Sequence, residues 1–184
     1  PKKDAKLGQD LRNHVGPDIE LMYDGSAGFD LLDAIYVGRA LHEAGFMWYE
    51  EPMREFNINA YKILAESVDI PLLSSETMDG AHWNVADFIK FGAAHMVRTS
   101  THYKGGFTGG LRVAHLADSF NMRAEVHGGG PANLHLACAI PNTTYYESLI
   151  FSNPIDVEAG IGRDGMISPP DVPGIGWDAM PPAN

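Results

Sequence analysis

The chain has 184 residues, 45% of them apolar, which is enough to bury a core of one-domain size. Its formal charge of −11 argues against nucleic acid or anionic membrane as partners, since both need a basic face, and no apolar run reaches the roughly 18 residues of a membrane-spanning helix. Cys138 is the only cysteine, which removes an intrachain disulfide and a cysteine-built zinc site and suits a reducing, cytoplasmic setting.

Residues 4–14 place Leu7 and Leu11 one turn apart among charges, with Asp4 as a cap, and read as an amphipathic helix ending before Gly16-Pro17. Residues 19–23 read as a short strand with Asp24 at its end. After the turn at 25–28, Asp30 caps a helix through Leu31, Ile35, Val37 and Leu41 that stops near Gly45. The unit then recurs. A strand at 46–49 ends in Glu50-Glu51-Pro52, a helix covers 57–67, and a strand at 71–75 ends at Glu76. A helix at 84–91 leads to a strand at 95–99. Gly105-Gly106 opens the next turn, followed by a helix at 111–120 and a strand at 123–126 that carries His127 before Gly128-Gly129-Gly130. A short helix at 133–140 and a sixth strand at 144–146, ending at Glu147, complete the pattern. From residue 153 onward Gly, Pro and Asp replace periodicity, so residues 153–184 are expected to form an extended tail packed on a surface.

Strands alternating with helices at this period predict a parallel α/β architecture. An open doubly wound sheet serves the pattern as well as a barrel. The glycines at 128–130 lack the G-x-G-x-x-G spacing, which argues against dinucleotide binding. A barrel gathers its chemistry at strand C-terminal ends, where Asp24, Glu50, Glu76, His127 and Glu147 all fall. Asp24 and Glu76 each lie 26 residues from Glu50. On parallel neighbouring strands, three such carboxylates emerge at one rim and can hold one divalent cation. Side chains two apart on a strand face the same way, so Met22, Trp48, Ser74, Arg98, Glu125 and Tyr145 are expected one layer below that rim. Arg98 and Glu125 are then expected to pair with each other or with a buried water.

Asp24 after an apolar strand, Trp48-Tyr49-Glu50-Glu51-Pro52, Glu76, Lys104-Gly105-Gly106, His127, Glu147 and Pro173-Gly174-Ile175-Gly176 resemble, in order and spacing, the catalytic barrel of the enolase superfamily and its mandelate racemase/muconate lactonizing enzyme-like branch. The resemblance implies a (β/α)8 barrel, of which residues 1–152 supply about six strand–helix units. The N-terminal capping domain, the first barrel strands and the family's lysine are expected outside this sequence. It also implies an enzyme that removes the proton beside a carboxylate. In that reading Asp24, Glu50 and Glu76 bind Mg2+, with Mn2+ accepted by the same oxygen set, and Glu51 orients a neighbour from behind. His127 is the general acid or base, and a protonated Glu147 donates a hydrogen bond to the enediolate oxygen.

One position departs from the family pattern. Ser100 stands where the racemase-like branch places an Asp beside the imidazole, so Ser100 is expected to orient His127 by its hydroxyl without adding negative charge. A polar rim that includes Asp79, His82, His102 and Lys104 as substrate-contact candidates favours a polyhydroxy carboxylate, so the expected reaction is dehydration of an acid sugar by a homo-oligomeric enzyme. Racemisation or epimerisation, cycloisomerisation of a sugar lactone, and a non-catalytic metal-binding barrel are the alternatives.

Overall fold

The computed structural model describes residues 1–148 and 160–176, and its internal packing separates two units, Pro1–Val97 and Arg98–Asn184. The first holds α1 (Lys2–Val15), β1 (Met22–Asp24), α2 (Leu31–Glu43), β2 (Trp48–Glu50), α3 (Ile58–Ser67), β3 (Leu72–Ser74), α4 (Ala81–Lys90) and the start of β4 (Met96–Thr99). The second holds the end of β4, α5 (Gly106–Asp118), β5 (Ala124–Val126) and α6 (Pro131–Ala139). Strands are hydrogen-bonded to their neighbours in chain order, β1-β2-β3-β4-β5. No helix among the described residues is long and apolar enough to cross a membrane.

In the first unit the strands are parallel, with Asp24 opposite Glu50, Glu50 opposite Leu73 and Leu73 opposite Met96. The helices that return the chain are amphipathic in the usual way. In α2 the buried residues are Ala34, Val37, Gly38 and Leu41, one stripe at helical spacing. Each large apolar side chain buried this way contributes roughly 1.5–3 kcal/mol. Asp30 accepts the Asp33 N–H at 2.9 Å and caps α2 as its sequence position predicts. Asn57 does the same for α3 through the N–H groups of Asn59 and Ala60. Asp4 does not cap α1. The helix begins two residues before it, and its carboxylate accepts the Tyr23 hydroxyl at 2.8 Å, pinning α1 to β1.

Within the first unit the inward layer differs from the expected one at β3. Trp48, Leu73 and Met96 form a core cluster with Met22 and Met47 packed on it. Leu73, not Ser74, shares the face of Trp48. The cause lies at Ser75, whose φ of 83° resets the alternation between the strand and Glu76, so counting back by two from Glu76 reaches the wrong face.

In the second unit, β5 joins β4 through the His127 N–H, which donates to Thr99 O at 2.8 Å. Helix α5 starts five residues before the expected position because Gly105 and Gly106, at φ 82° and 71°, complete the turn and feed directly into it. The helix lies against the loop it grows from. A Cβ on Gly109 would sit 1.4 Å from the Lys104 carbonyl oxygen, so only glycine fits.

Residues 144–146 are irregular instead of forming a sixth strand. Their donors are taken elsewhere: the N–H groups of Thr144 and Tyr145 point to the Glu125 carboxylate at 2.9 and 3.5 Å. Of the expected tail, residues 160–176 are turns and irregular chain, and the remainder lies outside the described residues.

Gly109→Ala is expected to destabilise the full-length protein by about 3 kcal/mol or more, because the added methyl meets backbone and not a movable side chain. Chemical denaturation with an unchanged midpoint would contradict this.

Candidate active site: an acid row and a histidine–carboxylate pair

The first unit carries a row of acids. Asp24 and Glu50 end adjacent strands in register, and Glu76 follows the next strand. Their loops interlock through the backbone: the N–H groups of Gly25, Ala27 and Phe29 donate to the carbonyls of Glu50, Glu51 and Pro52 at 2.8, 2.7 and 3.0 Å, and the Glu51 N–H donates to Leu73 O at 3.0 Å. A Cβ on Gly25 would lie 2.7 Å from the Pro52 Cα, so these two loops touch backbone to backbone. Ser26, Ala27, Glu51 and Ser75 all hold positive φ, at 43°, 56°, 31° and 83°. Strain of this kind, concentrated at three consecutive strand ends, is what a site that must aim side chains shows.

Glu51 is buried at 4% exposure. One carboxylate oxygen accepts the N–H groups of Glu76 and Thr77 at 2.6 and 3.1 Å, and the other accepts the Thr77 hydroxyl at 3.3 Å. It therefore holds the loop that carries Glu76, and the Ser75 N–H is held in turn by Glu55. Glu50 is buried at 3% exposure, whereas Asp24 is exposed and accepts the N–H and hydroxyl of Ser26 at 2.7 and 3.0 Å. Among the described residues no three His, Cys, Asp or Glu side chains converge closely enough to enclose an ion. The donor chemistry and the strand-end positions suit a hard cation.

Asp79 is exposed, with its carbonyl accepting the Asn84 amide at 2.7 Å, and His82 is half-buried with its ring 4.1 Å from that of Trp83.

The second unit carries the imidazole. His127 Nδ1 lies 3.3 Å from Glu147 Oε2, and its ring lies 5.6 Å from that of Tyr103. The same Glu147 oxygen accepts the Gly128 N–H at 2.7 Å and lies 3.5 Å from Arg98 Nη1, which also donates to Val126 O at 3.2 Å. Burial pushes the Glu147 carboxyl up. The bond to His127, the Arg98 charge and the Gly128 N–H outweigh that effect and hold it down to about 2. Glu147 is therefore a carboxylate at neutral pH and an acceptor only. The expected protonated donor is not what this environment makes.

Ser100, expected to orient His127, is engaged elsewhere. Its buried Oγ accepts the N–H groups of His102 and Tyr103 at 3.2 and 3.0 Å and shapes the turn after β4. Nor do Arg98 and Glu125 pair. Arg98 takes Glu147, while Glu125 Oε2 accepts the Thr143 hydroxyl and the Thr144 N–H at 3.2 and 2.9 Å. Lys104 is buried at 2% exposure and His102 is exposed.

Sequence reasoning missed Asn133 altogether. It is fully buried at the start of α6 and bonds to Thr101, His127 and Gly128. A polar residue in a helix whose other interior positions are apolar was the available signal.

Residues 1–182 match the family model described as enolase C-terminal domain-like. The chain belongs to the enolase superfamily. Its fold is the α/β barrel class of that superfamily. It is 38% identical to a D-glucarate dehydratase from Agrobacterium tumefaciens crystallised with magnesium, with a TM-score of 0.89 over 96% of this chain and 49% of that one. A racemase from Streptomyces coelicolor with bound magnesium gives 25% identity and a TM-score of 0.83 over 95% of this chain and 48% of that one. Among curated relatives, L-talarate/galactarate dehydratase of Salmonella typhimurium is 26% identical over 91% of this chain and 42% of its own length. The chain thus spans about half the length of the relatives it matches.

The Glu147 carboxyl falls from an ordinary 4.5 to about 2 on folding. A lowered carboxyl stabilises the fold above its unfolded value and loses that contribution as pH falls through the folded one. Glu147→Gln is therefore expected to remove on the order of 3 kcal/mol at pH 7 and much less near pH 2. Denaturant unfolding of both proteins across pH 2–7 checks this, and a difference independent of pH would refute it.

Proposed function

We propose that this superfamily member is a Mg2+-dependent acid-sugar dehydratase, acting through proton removal beside a carboxylate followed by loss of a β-hydroxyl. The observation that carries the reading is the His127–Glu147 contact, a permanently ionised carboxylate set against the imidazole, in a chain that also bears strand-end acids in register. The dehydratases among its relatives support the substrate class.

Asp24, Glu50 and Glu76 would hold the cation, with Glu51 fixing the Glu76 loop. When bound, magnesium supplies positive charge that acidifies the substrate proton and stabilises negative charge as it develops. The chain's own residues supply the proton chemistry. Glu147 Oε2, 3.3 Å from His127 Nδ1, would favour a proton on that nitrogen by its charge, leaving Nε2 to carry a proton to and from the substrate. Arg98 and the Gly128 N–H keep Glu147 ionised, so charge on the imidazole is balanced without moving a proton onto the carboxylate. In dehydration the α proton leaves to the opposing base, His127 Nε2–H protonates the β-hydroxyl, and water departs with the C–O electron pair. The resulting enol becomes a 2-keto-3-deoxy acid. Asp79, His82, His102 and Lys104 are the candidate contacts to a polyhydroxy substrate.

Racemisation is the second reading, and one observation favours it. Glu147 gives His127 the negative partner that position 100 withholds, which suits reversible abstraction as well as acid catalysis. Assay of the full-length protein with Mg2+ on a panel of acid sugars separates the two. Semicarbazide-reactive keto acid marks dehydration, and solvent deuterium at the α carbon without keto acid marks racemisation. His127→Asn is expected to lower kcat by roughly 10²–10⁴, and Glu50→Gln to abolish Mg2+ binding together with activity. Full turnover by the His127 variant or after chelation would overturn the mechanism. Mg2+ binding with neither product nor exchange would assign a non-catalytic barrel.

A further inference from the structure

Asn133 sits where three parts of the second unit meet. Its Oδ1 accepts both the N–H and the hydroxyl of Thr101, each at 2.8 Å, on the turn after β4. Its Nδ2 donates to the carbonyls of His127 and Gly128 at 2.7 and 3.1 Å, on the turn after β5. The same nitrogen lies 3.3 Å from His102 Nδ1. The Asn133 side chain is itself fully buried, so an amide atom left without a partner there costs about 1–3 kcal/mol.

The orientation of this amide is not arbitrary. A backbone N–H can only donate, so the atom facing Thr101 must be the oxygen. A carbonyl can only accept, so the atom facing His127 and Gly128 must be the NH2 group. Both ends agree. The two amide hydrogens go to those carbonyls, and His102 Nδ1 lies against the same donor group at 3.3 Å, where a lone pair is favoured over a second N–H, so the imidazole proton is best placed on Nε2.

We propose that Asn133 is a positioning residue for the proton-transfer half of the site: it clamps the backbone that carries His127 and sets His102 as an Nε2–H donor toward a substrate oxygen. The inference rests on the dehydratase reading for its catalytic part. The ligand group that fits is a hydroxyl or carboxylate oxygen of a polyhydroxy acid, since the His102 nitrogen left to meet it carries a proton and no lone pair. Asn133 touches no reacting atom in this scheme. It acts through His127, whose carbonyl it holds six residues away, and through His102.

The test uses Asn133→Asp, which keeps size and the acceptor for Thr101 but replaces the NH2 donor by an oxygen. Full-length protein labelled with 15N at histidine is examined by long-range 1H–15N spectroscopy, with His102→Gln and His127→Gln assigning the two rings. The expected wild-type spectrum shows His102 protonated on Nε2 alone. In Asn133→Asp, Nδ1 of His102 is expected to gain a proton, the His127 resonances to shift, and kcat on the acid-sugar substrate to fall roughly 10–100-fold with KM little changed. If that variant does not fold, Asn133→Ser, which also keeps an acceptor and loses the amide donors, is read in the same way. Wild-type His102 protonated on Nδ1, or a variant whose two rings match the wild type, would overturn the proposal. A changed spectrum with unchanged kcat would confine Asn133 to a structural role and overturn the positioning one. The spectra need no turnover, so an inert wild-type protein would count against the dehydratase reading and leave the tautomer result standing.

Discussion

Like charges do not stay side by side at neighbouring strand ends unless the backbone leaves them no alternative. Here the constraint is the parallel register that sets Asp24 opposite Glu50, reinforced by N–H groups of one loop bonded to carbonyls of the next at residues 25–29 and 50–52. Those bonds need the chain to turn sharply within a few residues of each strand, which accounts for positive φ at Ser26, Ala27, Glu51 and Ser75. The strain costs on the order of 1 kcal/mol or more at each non-glycine position and persists because the surrounding ladder over-determines it. Glu51 extends the same logic with its side chain. Its buried carboxylate takes two N–H groups of the Glu76 loop, so the backbone that carries one acid of the row is held by its neighbour.

How much of this could be read from residues alone depended on whether a feature was local or relational. The acids at a spacing of 26, the cap at Asp30 and the strand–helix alternation are local patterns, and they survive into the structure. Alternation by two failed at β3, where one left-handed residue intervenes and no composition signal announces it. Thr144–Tyr146 looks like a strand by residue type, yet a buried carboxylate on β5 captures its amides, a competition invisible without the fold. Pairing Arg98 with Glu125 was reasonable from depth, but depth does not give direction. Arg98 reaches Glu147, which lies 49 positions along the chain from it. Asn133 was missed because its meaning lies entirely in the partners that two separate turns bring to it.

The environment of Glu147 changes what can be asked of His127. With only Ser100 in view, the imidazole lacked a negative partner, which left it an acid, a weaker base, or in need of a partner from elsewhere in the chain. A carboxylate held to about 2, bonded to the Gly128 N–H and 3.3 Å from His127 Nδ1, sets an acid beside the histidine from a different place in the chain. Glu125 contributes to this at one remove. By holding Thr143 and Thr144 it fixes the segment that delivers Glu147 three residues later. The buried layer beneath the rim therefore works as a set of anchors, with Arg98 and Glu125 each tied to an element of the pair above them.

The acids of the two units differ in how they are compensated, and that difference separates their roles. Glu147 is surrounded by a guanidinium, an amide and an imidazole, so its charge is answered by fixed groups of the chain and it serves best as a permanent anion. Asp24 is exposed and meets the amide and hydroxyl of Ser26, two residues away. A local bond of that kind, facing water, stabilises by only about 0.5–1.5 kcal/mol. A divalent cation offered to Asp24 therefore competes with a weak and mobile arrangement, while a proton offered to Glu147 competes with a strong and rigid one.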